Sequence, residues 1–448
     1  MARRMRALRA GLCLAVSCLV ALVAGAEAAG PRAGVGAAVL VILDDDSMRV
    51  SHSQFLSSLE SRGYSTKVLT AGDASAALIS DGEYAFDGLF LLCPTASKSA
   101  RSLQPADVSA FASSGRSVFI AAAPESSAYI KSVAAALGVV IHPSHTIDHQ
   151  HAVAARDGAV SGGGAHTYIT AGGRDEAAAA VWAADPAAAT AAAADVHFVG
   201  PAATLAADNE LVSPVLWASD AAYAGTPGVR VTQTPVAVGR QLVLAAILSA
   251  RRSGGRAVYW GSVDTLSDAA AAVAPSGHAA TTRALAAWAL GERGVLRSRD
   301  VTTALVGRPP VAGEEAATYR VRDDVAFTVT LDEWDGVTRR WVPFVATDVQ
   351  VELVMLNPYV RARLTGVAGM PGRYTATLRV PDVIGIYSFR VVYYRPGLTP
   401  VEVTEVVSVR PFLHNEFERF ISQAYPYYTG AFSMLVGALM LTGVLLQS

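Results

Sequence analysis

The chain has 448 residues, 52% of them hydrophobic and only 17% charged, with a formal net charge of −2. That balance excludes a disordered or fibrous protein, and the lack of any basic block argues against a nucleic-acid partner. Much of the apolar excess sits in two uncharged runs, one near each end.

The first run, residues 11–26, follows Arg3, Arg4, Arg6 and Arg9. A basic start, a short apolar stretch and small residues at Ala24, Ala26 and Ala28 describe a cleavable secretory signal over residues 1–28. Its loss removes four arginines and Glu27, leaving a mature charge of roughly −5. Cys13 and Cys18 go with it, so Cys93 has no partner in the mature chain and stability must come from packing.

Residues 37–150 alternate between strand and helix patterns. VLVIL (39–43) is a buried strand, Phe55, Leu56 and Leu59 form one helix face, and Gly63 closes that helix. Strands follow at 64–69, 89–92, 118–121 and 139–141, with helices around Val108 and Phe111 and over 129–137. Such alternation predicts a parallel, doubly wound sheet with right-handed crossovers. Residues 151–298 read as a second α/β region. It has an alanine-rich insertion at 176–195, strands at 242–248 and 258–261, and a helix over 281–293 stopped by Gly294.

From residue 299 to 411 the pattern becomes strands alone. Seven apolar runs at 318–321, 326–331, 341–344, 349–356, 374–380, 386–394 and 401–409 are separated by turns such as Asp335-Gly336, Pro371-Gly372 and Pro396-Gly397. This predicts an all-β sandwich acting as a stiff spacer. The second apolar run, TGAFSMLVGALMLTGVLL (429–446), carries no charge and is preceded by Tyr425, Tyr427 and Tyr428. Eighteen helical residues span about 27 Å, close to a bilayer's hydrocarbon thickness, so a transmembrane helix is expected over 427–447. Ser433, Gly437, Ala438 and Thr442 place small residues four apart, a pattern suited to packing against another helix. With a signal in front, the expected topology is single-pass type I with the bulk of the chain luminal.

Two clusters invite a chemical reading. Asp44-Asp45-Asp46 follows the first strand, where α/β ligands bind. Asp44 and Asp46 have the spacing with which a glycosyltransferase DxD motif shares a divalent cation, which makes a metal-dependent glycosyltransferase the alternative function. The preferred reading is a solvated loop capping a helix. His142, His145, His149 and His151 crowd around Asp148 and suggest zinc by composition, but without helical ligand spacing a polar loop at a domain junction is preferred. The loop after the first strand has acids and no glycine, which disfavours dinucleotide binding, and Cys93 in a strand is by default a buried thiol. A doubly wound fold without its usual catalytic equipment points to a binding or scaffold role.

Several stretches carry a family likeness: VLVILDDDSMRVSHSQFLSSLESRGY (39–64), GEYAFDGLFLLCP (82–94), IDHQH (147–151), GSVDTLSD (261–268), GVLR (294–297), WVPF (341–344), VPDVIGIYSFRVVY (380–393) and, most specifically, RFISQAYPYYTGAFSMLVG (419–437). They resemble, in order, the 48 kDa subunit family of the eukaryotic oligosaccharyltransferase (dolichyl-diphosphooligosaccharide–protein glycosyltransferase), which includes the yeast wheat-germ-agglutinin-binding subunit. The likeness implies a non-catalytic subunit of the endoplasmic reticulum membrane that supports the complex transferring a dolichol-linked glycan to asparagine. Its implied partners are the polytopic catalytic subunit, ribophorins and the defender-against-death subunit. No catalytic residue, cofactor or metal ligand transfers to this chain. The terminus LLQS lacks the lysine-bearing tail of animal members, so retention would come through membership of the complex.

Overall fold

The computed structural model describes residues 37–73, 77–80, 82–96, 103–153, 166–174, 179–182, 196–273, 277–307, 318–336, 338–417 and 422–447. The expected signal and most of the alanine-rich insertion lie outside them. The first region comprises β1 (Ala38–Leu43), α1 (Ser53–Ser61), β2 (Ser65–Thr70), β3 (Gly88–Leu92), α2 (Pro105–Ser113), β4 (Ser117–Ala121), α3 (Ala128–Ala136) and β5 (Val139–Ile147). It continues through β6 (Gly173–Arg174), β7 (Pro201–Leu205), β8 (Val212–Trp217), β9 (Tyr223–Gly225), β10 (Val243–Ser249), β11 (Arg256–Trp260) and α4 (Gly277–Ala289).

An eight-stranded sheet in the order β2–β1–β3–β4–β11–β10–β8–β6 organises this region. Pairing is parallel from β2 through β11 and antiparallel beyond it. Because β11 lies beside β4, residues on both sides of position 150 build one sheet. Helices cover both faces. Phe55 and Leu59 of α1 and Trp288 of α4 bury against Val39, Val41, Phe90 and Phe119. Phe111 of α2 and Ile130 of α3 bury against Leu40, Leu89, Leu91 and Ile120 on the other face. Burial on both faces explains why β1 and β3 read as continuous apolar runs. Local signals agree with the helix ends: Gln104 and Asp107 form a capping box at α2, and Gly63, at φ +93°, ends α1.

The expected fifth strand of the parallel set departs from this plan. β5 leaves the main sheet and pairs antiparallel with β7 and β9 in a separate three-stranded sheet. Its pattern supplies the reason: Val140 is exposed and His142 only partly covered, whereas a strand within a doubly wound sheet must be buried on both faces.

The second region comprises β12 (Leu296–Leu305), β13 (Thr318–Arg320), β14 (Asp324–Asp335), β15 (Arg340–Pro343), β16 (Gln350–Val354), β17 (Pro358–Arg363), β18 (Arg373–Arg379), β19 (Gly385–Tyr393) and β20 (Val401–Arg410). Two sheets face each other, β12–β14–β18 with β15 on β14, and β13–β20–β19–β16–β17. Phe327 of β14 stacks on Phe389 of β19 at 5.4 Å between ring centres, joining the two inner faces. Two sandwich strands that sequence patterning passed over, β12 and β17, are edge strands carrying Arg297, Arg299, Asp300, Arg361 and Arg363, a composition that protects an edge and hides the alternation.

Strand direction gives the sandwich two distinct ends. β12 and β20 start beside the α/β region, at Leu296 and Val401, and run away from it. At about 3.3 Å per residue, the ten residues of β20 carry the chain about 30 Å to Arg410. The chain leaves from that far end for α5 (Tyr425–Gln447), a 23-residue helix exposed along its length. α5 is long and apolar enough to cross a membrane.

Candidate functional site

At the carboxyl ends of the parallel strands, the three acids after β1 are engaged separately. Asp44 Oδ2 accepts the Thr95 N–H at 3.1 Å, fastening the loop after β3, while its Oδ1 is enclosed without a partner. Asp45 Oδ1 accepts from the Ser47 hydroxyl and from the N–H groups of Ser47 and Met48; the Ser47 hydroxyl is the main cause that holds its carboxyl below the usual range. Asp46 pairs with Arg49 at 3.0 Å, and Arg49 donates onward to Val68 O at 2.9 Å. Asp44 and Asp46 therefore serve different neighbours, as expected of a polar turn leading into a helix. Among the described residues, no group of three or more His, Cys, Asp or Glu is placed to hold a metal ion.

The histidine segment is also drawn apart. His142 and His145 lie on β5, not in the expected loop, and His142 Nε2 meets Thr204 Oγ1 at 2.9 Å. His149 pairs with the Tyr223 hydroxyl at 3.0 Å. Asp148 organises the turn after β5: its buried carboxylate accepts from the Ser219 hydroxyl, the N–H groups of Gln150 and His151, and the His151 ring. Burial opposes its charge, but these bonds together hold Asp148 below the usual aspartate range. Cys93 is buried and free, and burial pushes its thiol up to about 12, which makes it inert.

Two of the family-like stretches meet in space. The Ser53 N–H and hydroxyl donate to Asp268 Oδ2, and the Gln54 N–H donates to Asp268 Oδ1 at 3.0 Å. His52 Nε2 sits 3.3 Å from Val263 O. A carboxylate from residues 261–268 thus caps the first turn of α1 and locks distant parts of the chain together.

The most heavily built polar cluster lies at the opposite, amino end of the sheet, where the α/β region meets the sandwich. Arg256, the first residue of β11, is fully buried and donates to Trp288 O at 2.7 Å, Arg293 O at 2.5 Å and Gly294 O at 2.8 Å. Its guanidinium also stacks on the Trp288 ring at 4.8 Å. These bonds satisfy carbonyls that the end of α4 leaves open, and the cation suits the negative end of the helix dipole. Burial lowers the Arg256 pKa to about 10, so it stays charged at neutral pH; half-buried Glu333 provides a nearby counter-charge and is itself pushed up by burial.

Bonds from this cluster cross into the sandwich. Trp288 Nε1 donates to Gly397 O at 2.6 Å, and the Thr399 N–H and hydroxyl donate to Gly294 O at 2.8 and 3.0 Å. Leu296 N–H returns to Thr399 Oγ1 at 2.8 Å. On the flank, Glu292 accepts from Arg62 and the Tyr64 hydroxyl, and its carbonyl accepts the Gly336 N–H. Gly294 has φ +64°, and a Cβ there would lie 2.4 Å from Gly397 O, so both backbone angle and space demand glycine. A cleft of about 400 Å³ opens beside this joint, reached by Arg251, Arg252 and Pro400.

Sequence reasoning looked at the usual end of the sheet and missed this joint. Two signals mark it: an arginine opening the apolar strand RAVYW, and Gly294 at the head of GVLR. A buried arginine in a strand has to find acceptors, and here they lie within helix-end backbone.

Comparison with known proteins completes the description. The family model described as OST48, N-terminal domain matches residues 32–292, and that described as OST48 middle domain matches residues 309–448. The chain is 34% identical over 414 residues to the dolichyl-diphosphooligosaccharide–protein glycosyltransferase 48 kDa subunit of Arabidopsis thaliana, covering 89% of this chain and 90% of that one. It is 32% identical over 424 residues to the proteins of the same name from Caenorhabditis elegans and Danio rerio, covering 91% of each chain.

Proposed function

The chain belongs to the OST48 family, and from that premise we propose how it serves a glycosyltransferase complex. It is a non-catalytic accessory subunit of the oligosaccharyltransferase, supporting en bloc transfer of a dolichol-linked glycan to asparagine. It sits in the endoplasmic reticulum membrane as a single-pass type I protein, with α5 as its span and the α/β region and sandwich on the luminal side. No side chain of this protein acts on the glycan or the acceptor, and it needs no cofactor. Its neighbours are the polytopic catalytic subunit, ribophorins and the defender-against-death subunit. The proposed chain begins after a signal at 1–28, and the spacer spans 299–411.

The observation that carries this reading is the joint around Arg256. A buried cation bonded to three carbonyls, with Trp288 and Thr399 bonded across the boundary, fixes two folded bodies as one rigid surface. Meanwhile Asp44, Asp45 and Asp46 each stabilise a different turn or loop. Rigid positioning is what a scaffold requires. Gentle solubilisation of membranes followed by capture through this chain tests the proposal: other oligosaccharyltransferase subunits should co-purify, whereas a free monomer in mild detergent overturns it.

A further inference from the structure

The far end of the sandwich, away from the joint, presents an apolar surface that none of the described residues covers. Leu356 is 91% exposed and Ile386 69%, with Tyr359, Val383 and Ile384 also exposed around them. They come from the turn between β16 and β17 with the start of β17, and from the loop before β19 with the start of β19. The loops touch: Met355 Cε lies 2.6 Å from where a side chain on Gly385 would begin. Scattered apolar side chains are ordinary on a surface, but a contiguous group on adjoining loop tips marks a contact site.

Register fixes where this group lies relative to α5. Gly385 pairs with Val409 and Val354 pairs with Ser388, so both loops share the end at which β20 finishes. Beyond β20 the chain is clipped back: Arg410 makes two bonds to Glu416, at 2.7 and 2.8 Å, and the Leu413 N–H adds a third. The Arg410 guanidinium holds the Glu416 carboxyl down to about 2, so the clip persists through ordinary pH. From Glu416 to Tyr425 the chain can reach at most about 30 Å even when fully extended. The apolar tip is therefore leashed to the start of α5, where the tyrosines mark headgroup depth.

Charge at this end is balanced among the described residues. Arg320 pairs with Asp323, Arg322 with Asp382 and Arg410 with Glu416, and Arg379 lies opposite Asp324 across β18 and β14.

We propose that this loop pair rests in the luminal face of the bilayer that α5 spans, inserting Leu356, Val383, Ile384 and Ile386 at headgroup and upper acyl depth. The contact is apolar and needs no anionic lipid. It gives the sandwich a second attachment to the membrane beside the helix. The inference rests on the membrane span assigned above.

Single cysteines placed by Leu356→Cys, Ile384→Cys, Thr338→Cys and Ser433→Cys in the mature chain, from which Cys13 and Cys18 have left with the signal, labelled with an environment-sensitive fluorophore, test it. Cys93 is buried and does not compete for label. In phosphatidylcholine proteoliposomes containing doxyl-labelled phosphatidylcholine, labels at 356 and 384 should be quenched roughly threefold or more above the label at 338, since interfacial insertion brings them about 5–10 Å into the boundary. Adding anionic lipid should leave the ratio unchanged. Quenching at 433 with none above the 338 level at 356 and 384 overturns the tip contact and leaves the span standing. No quenching at 433 overturns both. Blue-shifted but unquenched labels at 356 and 384 also overturn the proposal, because they mark a protein contact instead.

Discussion

The two ends of the parallel sheet are built to opposite specifications. At the carboxyl ends, where α/β proteins usually bind ligands, the chain places a half-buried acid and two exposed ones that cap turns and tie neighbouring loops. At the amino ends it places a buried arginine that closes the end of α4, and beside it a fully buried tryptophan and a glycine in the left-handed region that are bonded across to the sandwich. The densely bonded, buried polar groups lie at the joint and not at the usual ligand end. A buried polar group left unpaired is costly, so investment of this kind shows where geometry must not slip.

The contrast can be broken most directly at the joint. Gly294→Val should cost about 3 kcal/mol or more, since it forces a β-branched residue into positive φ and against a carbonyl. Arg256→Met should cost about 3–5 kcal/mol by removing three buried hydrogen bonds from a charged donor. Chemical denaturation should show both losses, and subunit capture should fall with them. Either variant remaining at wild-type stability would remove the argument for a rigid joint.

Asp148→Ala should cost about 2–3 kcal/mol through lost bonds to a buried carboxylate, and Asp148→Asn less. The native carboxyl is lowered from an ordinary value of 3.8, so its contribution is complete above that value. It is lost as pH falls through the lowered native value. An acid titration of unfolding should therefore be shallower in Asp148→Asn than in the wild type. Trp288→Phe keeps a buried ring but loses the bond to Gly397, and should cost about 1–2 kcal/mol, read as a fall in denaturation midpoint.

The smallest effects belong at the other end of the sheet. Asp46→Ala removes an exposed ion pair worth at most about 1 kcal/mol. Asp44→Ala trades one hydrogen bond for relief of an enclosed, unpartnered oxygen. In membranes carrying either variant, glycan transfer to an acceptor peptide should stay close to normal. A loss of transfer at normal stability would reverse the comparison and revive the metal-dependent alternative.

Legibility in the sequence followed burial. Runs buried on both faces, such as VLVIL and LFLL, read correctly because nothing polar interrupts them. Edge strands did not: β12 and β17 carry arginines that face solvent and mask a period of two. Segment β5 looked like another parallel strand over its first three residues, and only its exposed alternate positions betray a separate sheet. The acids after β1 were recognisable as a turn. Arg256 was not recognisable as a keystone, because its acceptors lie 32 to 38 residues away along the chain.

From its residues alone this protein declared an α/β body, a β spacer and an apolar terminal helix, since periodicity and hydropathy are local quantities. Tertiary structure alone decided that β11 joins the first sheet, that Arg256 closes the end of α4, and that the bare loop tips share an end with the exit to α5. Each of these depends on long-range register. A hydrogen bond between residues far apart in sequence leaves no periodic trace, so only the folded chain can place it.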